Sequence, residues 1–185
     1  YFGACLGNDG CIYFAPLKES KIMVLNVASQ TTSFININES STAKFSGCSL
    51  VADNYIYFAP NGAKKTLKLN LETQTTSFIG YDFGVANDKF VGITPHPDGN
   101  AYYSSVIINR TVKIDKTTEN TTFMGSQFPI GYRIYYGACL GNDGCIYFAP
   151  HTSRKILKLK VNVMPNPNDT VILSNLANLP SSNYN

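Results

Sequence analysis

Apolar and polar residues alternate in short runs along most of this chain, and the runs return at a regular interval. The clearest run is KIMVLNV at 21–27, and related runs follow at 65–71, 110–116 and 155–161. Alternation with a period of two predicts a β-strand whose two faces meet different surroundings. No stretch of useful length shows the 3.6-residue period of a helix. The pattern therefore predicts an all-β protein.

A longer repeat contains these runs. The fourteen residues GACLGNDGCIYFAP occur at Gly3–Pro16 and again, unchanged, at Gly137–Pro150. Altered copies stand at Gly47–Pro60 and Gly92–Ser105, so the leading glycines are residues 3, 47, 92 and 137. Self-similarity at a period of about 45 residues indicates a solenoid, an array or a propeller.

Each repeat predicts four short strands. Two strands flank an Asp-Gly or Asp-Asn turn, which favours a hairpin whose second turn residue has a positive φ. The alternating run is the third strand, and a Thr-rich segment with β-branched and aromatic residues is the fourth. The predicted repeats are 1–44, 45–89, 90–134 and 135–173, followed by a tail at 174–185. The predicted turn pairs are Asp9-Gly10, Asp53-Asn54, Asp98-Gly99 and Asp143-Gly144.

The repeat resembles the blades of NHL and virginiamycin B lyase-like propellers. The segments that carry the resemblance are GITPHPDGNAYY at Gly92–Tyr103 and VKIDK at Val112–Lys116. The chain departs from that pattern in having no Trp and in keeping the usual acid of the third strand only at Asp115. The resemblance implies a β-propeller of four recognisable four-stranded blades. Four blades close alone, form a segment of a larger ring, or make a ring with a partner or further copies, since propellers have about 4–8 blades.

Charge and hydropathy narrow the function classes. The 15 basic and 12 acidic residues are spread along the chain and give a net charge of only +3, so no nucleic-acid footprint is predicted. No apolar run approaches the roughly 20 residues of a membrane span, and no signal-peptide pattern is present. The chain opens on Tyr1, so we expect either a removed leader or a piece of something longer. Sequons occur at Asn38, Asn109, Asn120 and Asn168.

Five cysteines leave at least one thiol without a partner in the chain. Cys5 and Cys11 recur as Cys139 and Cys145 around the first turn of their repeats. Neither a two-residue nor a three-residue hairpin loop places such a pair in good disulfide geometry. The sequence thus predicts free thiols and, weakly, an intracellular compartment.

Catalytic chemistry is sparse. His96 and His151 fall at different points of their repeats, and the turn aspartates are explained by turn chemistry. We therefore predict no cofactor, no metal site and no catalytic residue.

One basic position recurs in every repeat, where the third strand opens. The structural explanation is solubility, with aliphatic stems lying on the sheet. The functional hypothesis is a rim of positive charge that attracts an acidic protein partner. A second basic position is filled in three repeats, by Lys68, Lys113 and Lys158. The candidate binding residues are Lys21, Lys65, Arg110 and Lys155.

The sequence favours a non-enzymatic scaffold for protein–protein interaction. The first alternative is a carbohydrate-binding, lectin-like propeller, with Tyr13, Tyr57, Tyr102 and Tyr147 as candidates for glycan contact. The second alternative is a virginiamycin B lyase-like enzyme. Propeller folds support all three kinds of function, so the fold does not choose between them.

Overall fold

The computed structural model describes residues 1–125, 135–153 and 155–161, which form fifteen strands in four sheets. The first sheet holds β1 (Ala4–Leu6), β2 (Cys11–Phe14), β3 (Lys21–Asn26) and β4 (Thr31–Asn36), and the second holds β5 (Phe45–Ala52), β6 (Tyr55–Pro60), β7 (Thr66–Asn70) and β8 (Thr76–Ile79). The third sheet holds β9 (Phe90–Pro95), β10 (Asn100–Ser105), β11 (Thr111–Asp115) and β12 (Thr121–Met124). The fourth sheet holds β13 (Tyr135–Leu140), β14 (Cys145–Pro150) and β15 (Leu157–Lys160).

Each sheet is an antiparallel meander whose strands pair in chain order. The sheets correspond to the four predicted repeats, and we call them blades 1 to 4. The all-β prediction is confirmed, since the described residues contain strands and turns and no helix. The predicted fourth strand of blade 4, at 170–173, and the tail at 174–185 lie outside the described residues. No helix in the described part of the chain is long and apolar enough to cross a membrane.

The first hairpin turn differs between blades. In blades 1 and 4 it is a three-residue loop, closed by hydrogen bonds from Gly7 N to Cys11 O and from Gly141 N to Cys145 O, both 2.8 Å long. Its last residue has the expected positive φ, as at Gly10 (79°). In blade 2 the prediction of a positive φ at Asn54 is wrong. There Ala52 pairs with Tyr55, and a register shift in β5 shortens the loop to two residues.

The strand order gives every blade two ends. The turns between the first and second strands and between the third and fourth strands lie together, because Cys11 at the start of β2 pairs with Asn26 at the end of β3. We call this the turn end. The other connections, namely those between the second and third strands and those between blades, lie at the opposite end, which we call the loop end.

Each blade packs on the next through its two faces. The trailing face of blade 1 carries Tyr13, Ala15, Ile22 and Val24 and forms one core with the leading face of blade 2. That leading face carries Cys48, Ile56, Phe58, Leu67 and Leu69. Blades 2 and 3, and blades 3 and 4, pack in the same way. The core of the protein therefore lies between blades, because alternating residues of one strand point to different neighbours.

The innermost strands approach one another at glycines. A Cβ added to Gly3 would lie 2.9 Å from Gly47 Cα, and one added to Gly47 would lie 3.0 Å from Gly92 Cα. Both Gly3 and Gly47 also have a positive φ, at 81° and 85°. The leading glycines of blades 1 and 2 are thus explained by a backbone conformation and a close approach that a side chain would disturb.

The four blades do not show a closed ring. Strand β1 contacts β5, β5 contacts β9 and β9 contacts β13, whereas β13 makes no comparable contact with β1. The leading face of blade 1 and the trailing face of blade 4 consequently carry exposed apolar residues. Leu6 on the leading face of blade 1 is 61% exposed, and Ala149 on the trailing face of blade 4 is exposed as well.

All five cysteines are free, which confirms the prediction of unpaired thiols in this structure. Cys11 lies opposite Gly7, and Cys5 pairs with Tyr13, so the two thiols of the first hairpin are not opposite each other. Cys5 of blade 1 instead neighbours Cys48 of blade 2, where a hydrogen bond between the two thiols, together with burial, raises the pKa of Cys48.

Candidate functional site

The four predicted basic residues all lie at the loop end. Lys21 is the first residue of β3, but Lys65 and Arg110 stand immediately before β7 and β11, and Lys155 stands before β15. The expectation that all four open a strand is corrected to this extent. Lys21 and Lys155 are exposed, and Lys65 and Arg110 are half-buried. Among the residues that the structure describes, none of these four cations pairs with a carboxylate.

The second basic position behaves differently. Lys68 Nζ lies 2.5 Å from Glu119 of the next blade and 4.0 Å from the centre of the Tyr55 ring. Lys158 Nζ lies 2.8 Å from Asp143 of its own blade. These residues lie on trailing faces, where Val24 stands in blade 1. Lys68 and Lys158 therefore carry neutralised charges, whereas Lys113, the third member of this position, has no carboxylate partner among the described residues. Sequence reasoning missed the Lys68 pair because Glu119 is a whole repeat away from Lys68.

Charge is separated between the two ends. The turn end carries most of the described carboxylates, whereas only four carboxylates accompany eight basic groups at the loop end. The described part of the loop end thus carries more bases than acids, and it is separated from the turn end by the length of the strands. The turn-end acids are Asp9, Asp53, Glu72, Asp98, Asp115, Glu119 and Asp143. The loop-end bases are Lys18, Lys21, Lys44, Lys64, Lys65, Lys89, Arg110 and Lys155, and the acids there are Glu19, Glu39, Asp82 and Asp88.

Two loop-end lysines are structural. Lys89 is fully buried, and its Nζ donates to the carbonyls of Gly84 (3.0 Å) and Ala86 (2.6 Å). Burial lowers the pKa of Lys89 to about 8. Lys44, at the same point of the preceding repeat, is also buried and reaches Lys18 O at 3.4 Å. Lys44 and Lys89 therefore stabilise the connections between blades through hydrogen bonds to backbone carbonyls. The charge that the loop end presents to solvent comes from its other basic residues.

The turn end is built on a repeated pair of an aspartate and a tyrosine four residues later. In blade 1, Asp9 Oδ1 accepts from Cys11 N at 3.1 Å, and Asp9 Oδ2 accepts from the Tyr13 hydroxyl at 2.6 Å. The same pair occurs as Asp98–Tyr102 (2.8 Å) and Asp143–Tyr147 (2.7 Å). The turn role predicted for the aspartates is confirmed here, and the tyrosine half of the pair was missed. The available signal was the spacing of four residues, which occurs in all four repeats, including Asp53 and Tyr57.

The electrostatics of these pairs follow from burial and hydrogen bonds. Burial and the hydrogen bond to Asp98 raise the pKa of Tyr102. Burial alone would raise the pKa of Asp98, but hydrogen bonds from Asn100 and Tyr102 outweigh it and lower that pKa. Burial, together with the charge of Glu119, raises the pKa of Tyr57 to about 12. These groups keep their ordinary charge states near neutral pH, which favours a structural role.

The two histidines lie at opposite ends of their blades. His96 is buried at the turn end, where Nε2 donates to Gly144 O at 3.0 Å and Nδ1 accepts from Asp98 N at 3.1 Å. His151 follows β14 at the loop end and stacks on Tyr136 with ring centres 5.0 Å apart. His96 Nδ1 also lies 2.9 Å from Asp98 Oδ1, so both ring nitrogens have protein partners and His96 joins blade 3 to blade 4.

The remaining candidates give no further site. Within residues 1–125, 135–153 and 155–161, no group of three or more His, Cys, Asp or Glu side chains could hold a metal ion. Tyr13, Tyr57 and Tyr102 are each 1% exposed, so their rings are packed between blades and offer no face to a sugar. Only Tyr147, on the open face of blade 4, is half-buried.

Comparison with known proteins identifies the fold. No protein-family model matches the sequence, and no curated protein matches it. Solved structures do resemble it: virginiamycin B lyase from Staphylococcus aureus has a TM-score of 0.71 at 16% identity, covering 84% of this chain and 50% of that one. A streptogramin B lyase has a TM-score of 0.68 at 20% identity, covering 85% and 50%. Hydrazine synthase of Kuenenia stuttgartiensis has a TM-score of 0.66 at 12% identity, covering 85% and 45%.

These similarities define the class of protein. The chain has a β-propeller fold of the kind seen in virginiamycin B lyase, which confirms the predicted blade type. It spans about half the length of the solved structures that it matches. At this level of identity the likeness establishes the fold and leaves the chemistry to the residues of the site.

Proposed function

We propose that the chain is a non-enzymatic propeller scaffold that binds acidic protein segments at its loop end. The observation that supports this is the contrast between the two repeated basic positions. Among the described residues, two of the three members of the second position, Lys68 and Lys158, are paired with carboxylates, whereas none of the four at the first position, Lys21, Lys65, Arg110 and Lys155, is. Several unpaired cations at one end of a rigid fold create a summed field that steers an acidic partner.

The two exposed members of the site carry most of the accessible charge. Lys21 and Lys155 belong to blades 1 and 4, so they bracket the loop end, with Lys65 and Arg110 between them in the chain. A flexible acidic segment can meet several such groups in turn without a shaped pocket. Binding of this kind is salt-dependent, because exposed charges are screened within about 10 Å at 0.1 M salt.

The first experiment compares two double variants with the same net charge. Lys21→Glu with Lys155→Glu alters the loop end, and Lys116→Glu with Lys160→Glu alters exposed residues of the turn end. Binding of a labelled poly-glutamate peptide is measured by fluorescence anisotropy at low salt. We expect the loop-end variant to lose about tenfold in affinity, or about 1.4 kcal/mol, and the turn-end variant to lose much less.

The comparison separates a site from a net-charge effect. Each double variant changes the charge by four units, from +3 to −1. Equal losses in the two variants would show that the peptide responds only to total charge, and the proposed site would be wrong. The quadruple variant with Glu at 21, 65, 110 and 155 extends the series from +3 to −5 and should abolish binding while the strand signal in circular dichroism persists.

The two alternatives have less support in the described residues. The glycan hypothesis loses three of its four tyrosines to packing between blades. The enzyme hypothesis rests on a fold shared with proteins named as lyases, one of which was solved as a catalytically inactive His-to-Ala variant with quinupristin. In this chain the buried His96 is held by Gly144 and Asp98. The scaffold is therefore the function that the geometry favours.

A further inference from the structure

Within the residues that the structure describes, the leading face of blade 1 and the trailing face of blade 4 are open, and each repeats a face that is closed elsewhere in the chain. On the leading face of blade 1, Phe34 is 55% exposed and Val27 is 42% exposed. Leu71, which stands in blade 2 where Val27 stands in blade 1, is only 7% exposed because blade 1 covers it. On the trailing face of blade 4, Ala149 is exposed, whereas Ala15 and Ala59 in the same position are completely buried.

The packing of blade 1 on blade 2 shows what kind of surface fits the open trailing face of blade 4. Blade 4 begins with the same fourteen residues as blade 1, and in blade 1 these residues already pack on the leading face of blade 2. The leading face of blade 1 has apolar side chains at the same positions as the leading face of blade 2, although their size differs at some positions. Ile12, Phe14, Met23, Leu25 and Val27 correspond to Ile56, Phe58, Leu67, Leu69 and Leu71.

One polar contact of the closed interface between blades 1 and 2 has a counterpart on the open leading face of blade 1. In blade 2, Gln74 has a φ of 56°, donates to Leu71 O at 2.7 Å, and lies 3.5 Å from the Tyr13 hydroxyl of blade 1. In blade 1, Gln30 has a φ of 57° and donates to Val27 O, also at 2.7 Å. Gln30 thus holds the same strained conformation with no tyrosine of a preceding blade beside it.

We propose that two copies of this chain associate head to tail, the trailing face of blade 4 in each copy packing on the leading face of blade 1 in the other. The Tyr147 hydroxyl then meets Gln30 of the second copy, as Tyr13 meets Gln74 within the chain. The assembly is a two-fold symmetric ring with four blades from each copy, within the range of about 4–8 blades that propellers use.

The association is tested by the mass of the protein in solution. Sedimentation equilibrium over a wide range of concentrations should give twice the 20.3 kDa mass of one chain. Ala149→Arg places a long charged side chain on the open face of blade 4 and should give the mass of a single copy. Leu25→Glu should do the same from blade 1. Val85→Arg, at an exposed loop-end position that belongs to neither face, is the matched control and should remain paired.

Mixing the two face variants tests the head-to-tail arrangement. The Ala149→Arg protein keeps a sound blade 1 face, and the Leu25→Glu protein keeps a sound blade 4 face, so the mixture should regain a two-copy species through one interface. A wild-type protein that stays at the mass of one copy would overturn the proposal. So would an Ala149→Arg protein that remains paired, or a mixture of the folded variants that does not associate. Circular dichroism of each variant confirms that its strands are intact.

Discussion

The segments Gly3–Pro16 and Gly137–Pro150 have the same fourteen residues and bury opposite sides of themselves. In blade 1, Tyr13 and Ala15 are 1% and 0% exposed because blade 2 covers them. In blade 4, Ile146 and Phe148 are 0% and 2% exposed because blade 3 covers them. Which residues of a segment are buried therefore depends on the neighbouring blade. The same substitution made separately in each segment compares one residue in two different surroundings.

The largest difference is expected for the phenylalanine of the second strand. Phe148→Ala opens a cavity in the core between blades 3 and 4 and should cost about 3–5 kcal/mol. Phe14→Ala, on the open face of blade 1, should cost about 1 kcal/mol, because the surrounding side chains are already half-solvated. Urea unfolding of dilute protein, in which the copies are separate, measures both.

Association with a second copy also changes the free energy of unfolding that this experiment measures. If head-to-tail association covers Phe14, the cost of Phe14→Ala should rise with protein concentration, whereas the cost of Phe148→Ala should stay constant. Equal costs for both substitutions in the Ala149→Arg background, which blocks association, would show that the neighbouring blade does not determine burial.

A smaller difference is expected at the leading glycine. Gly3→Ala places a Cβ 2.9 Å from Gly47 Cα, and Gly137→Ala places one where no atom lies within 4 Å. Both glycines have a positive φ, so both substitutions carry a conformational cost of about 1–2 kcal/mol. Gly3→Ala should cost about 1 kcal/mol more, because the backbone must move to relieve the contact. Matched thermal unfolding of the two variants gives the difference, and an equal loss in both would remove the close approach as an explanation for the repeated glycine.

The smallest difference concerns the hydroxyl that binds the turn aspartate. Tyr13→Phe should cost about 1 kcal/mol, because Asp9 loses a donor at a partly buried site. Tyr147→Phe should cost less than about 0.5 kcal/mol, since Asp143 is 45% exposed and keeps Lys158 at 2.8 Å. Chemical denaturation at neutral pH measures both, and a larger loss for Tyr147→Phe would contradict the comparison.

The same tyrosine predicts a pH dependence. Burial and the hydrogen bond to Asp9 raise the pKa of Tyr13 above its ordinary value of 10. The folded state then keeps a proton that the unfolded chain releases, so stability falls as pH rises above 10. Tyr13→Phe should reduce this fall, although Tyr57 and Tyr102 still contribute to it.

The sequence predicts the strands and the repeat well because those features are local. Alternation identified the third strands, and the Thr-rich fourth strand at Thr121–Met124 is confirmed residue by residue. Contacts between blades were harder to predict, because residues such as Lys68 and Glu119 are brought together only when one blade packs on the next. The φ of 57° at Gln30 was also missed, since no glycine marks that turn. The candidate rim was found by comparing repeats, and the comparison could not show which lysines were already neutralised.

The two identical segments have a consequence for how the chain folds. The hairpin at Gly137–Pro150 is a chemical duplicate of the hairpin at Gly3–Pro16, so during refolding either copy can dock on the exposed leading face of blade 2. Docking of the wrong copy would satisfy the local contacts and leave blade 1 displaced, which is a kinetic trap of the kind that repeat proteins encounter. Synthesis from the N-terminus offers Gly3–Pro16 to blade 2 first. We therefore expect the complete chain to refold from denaturant more slowly than it folds during synthesis.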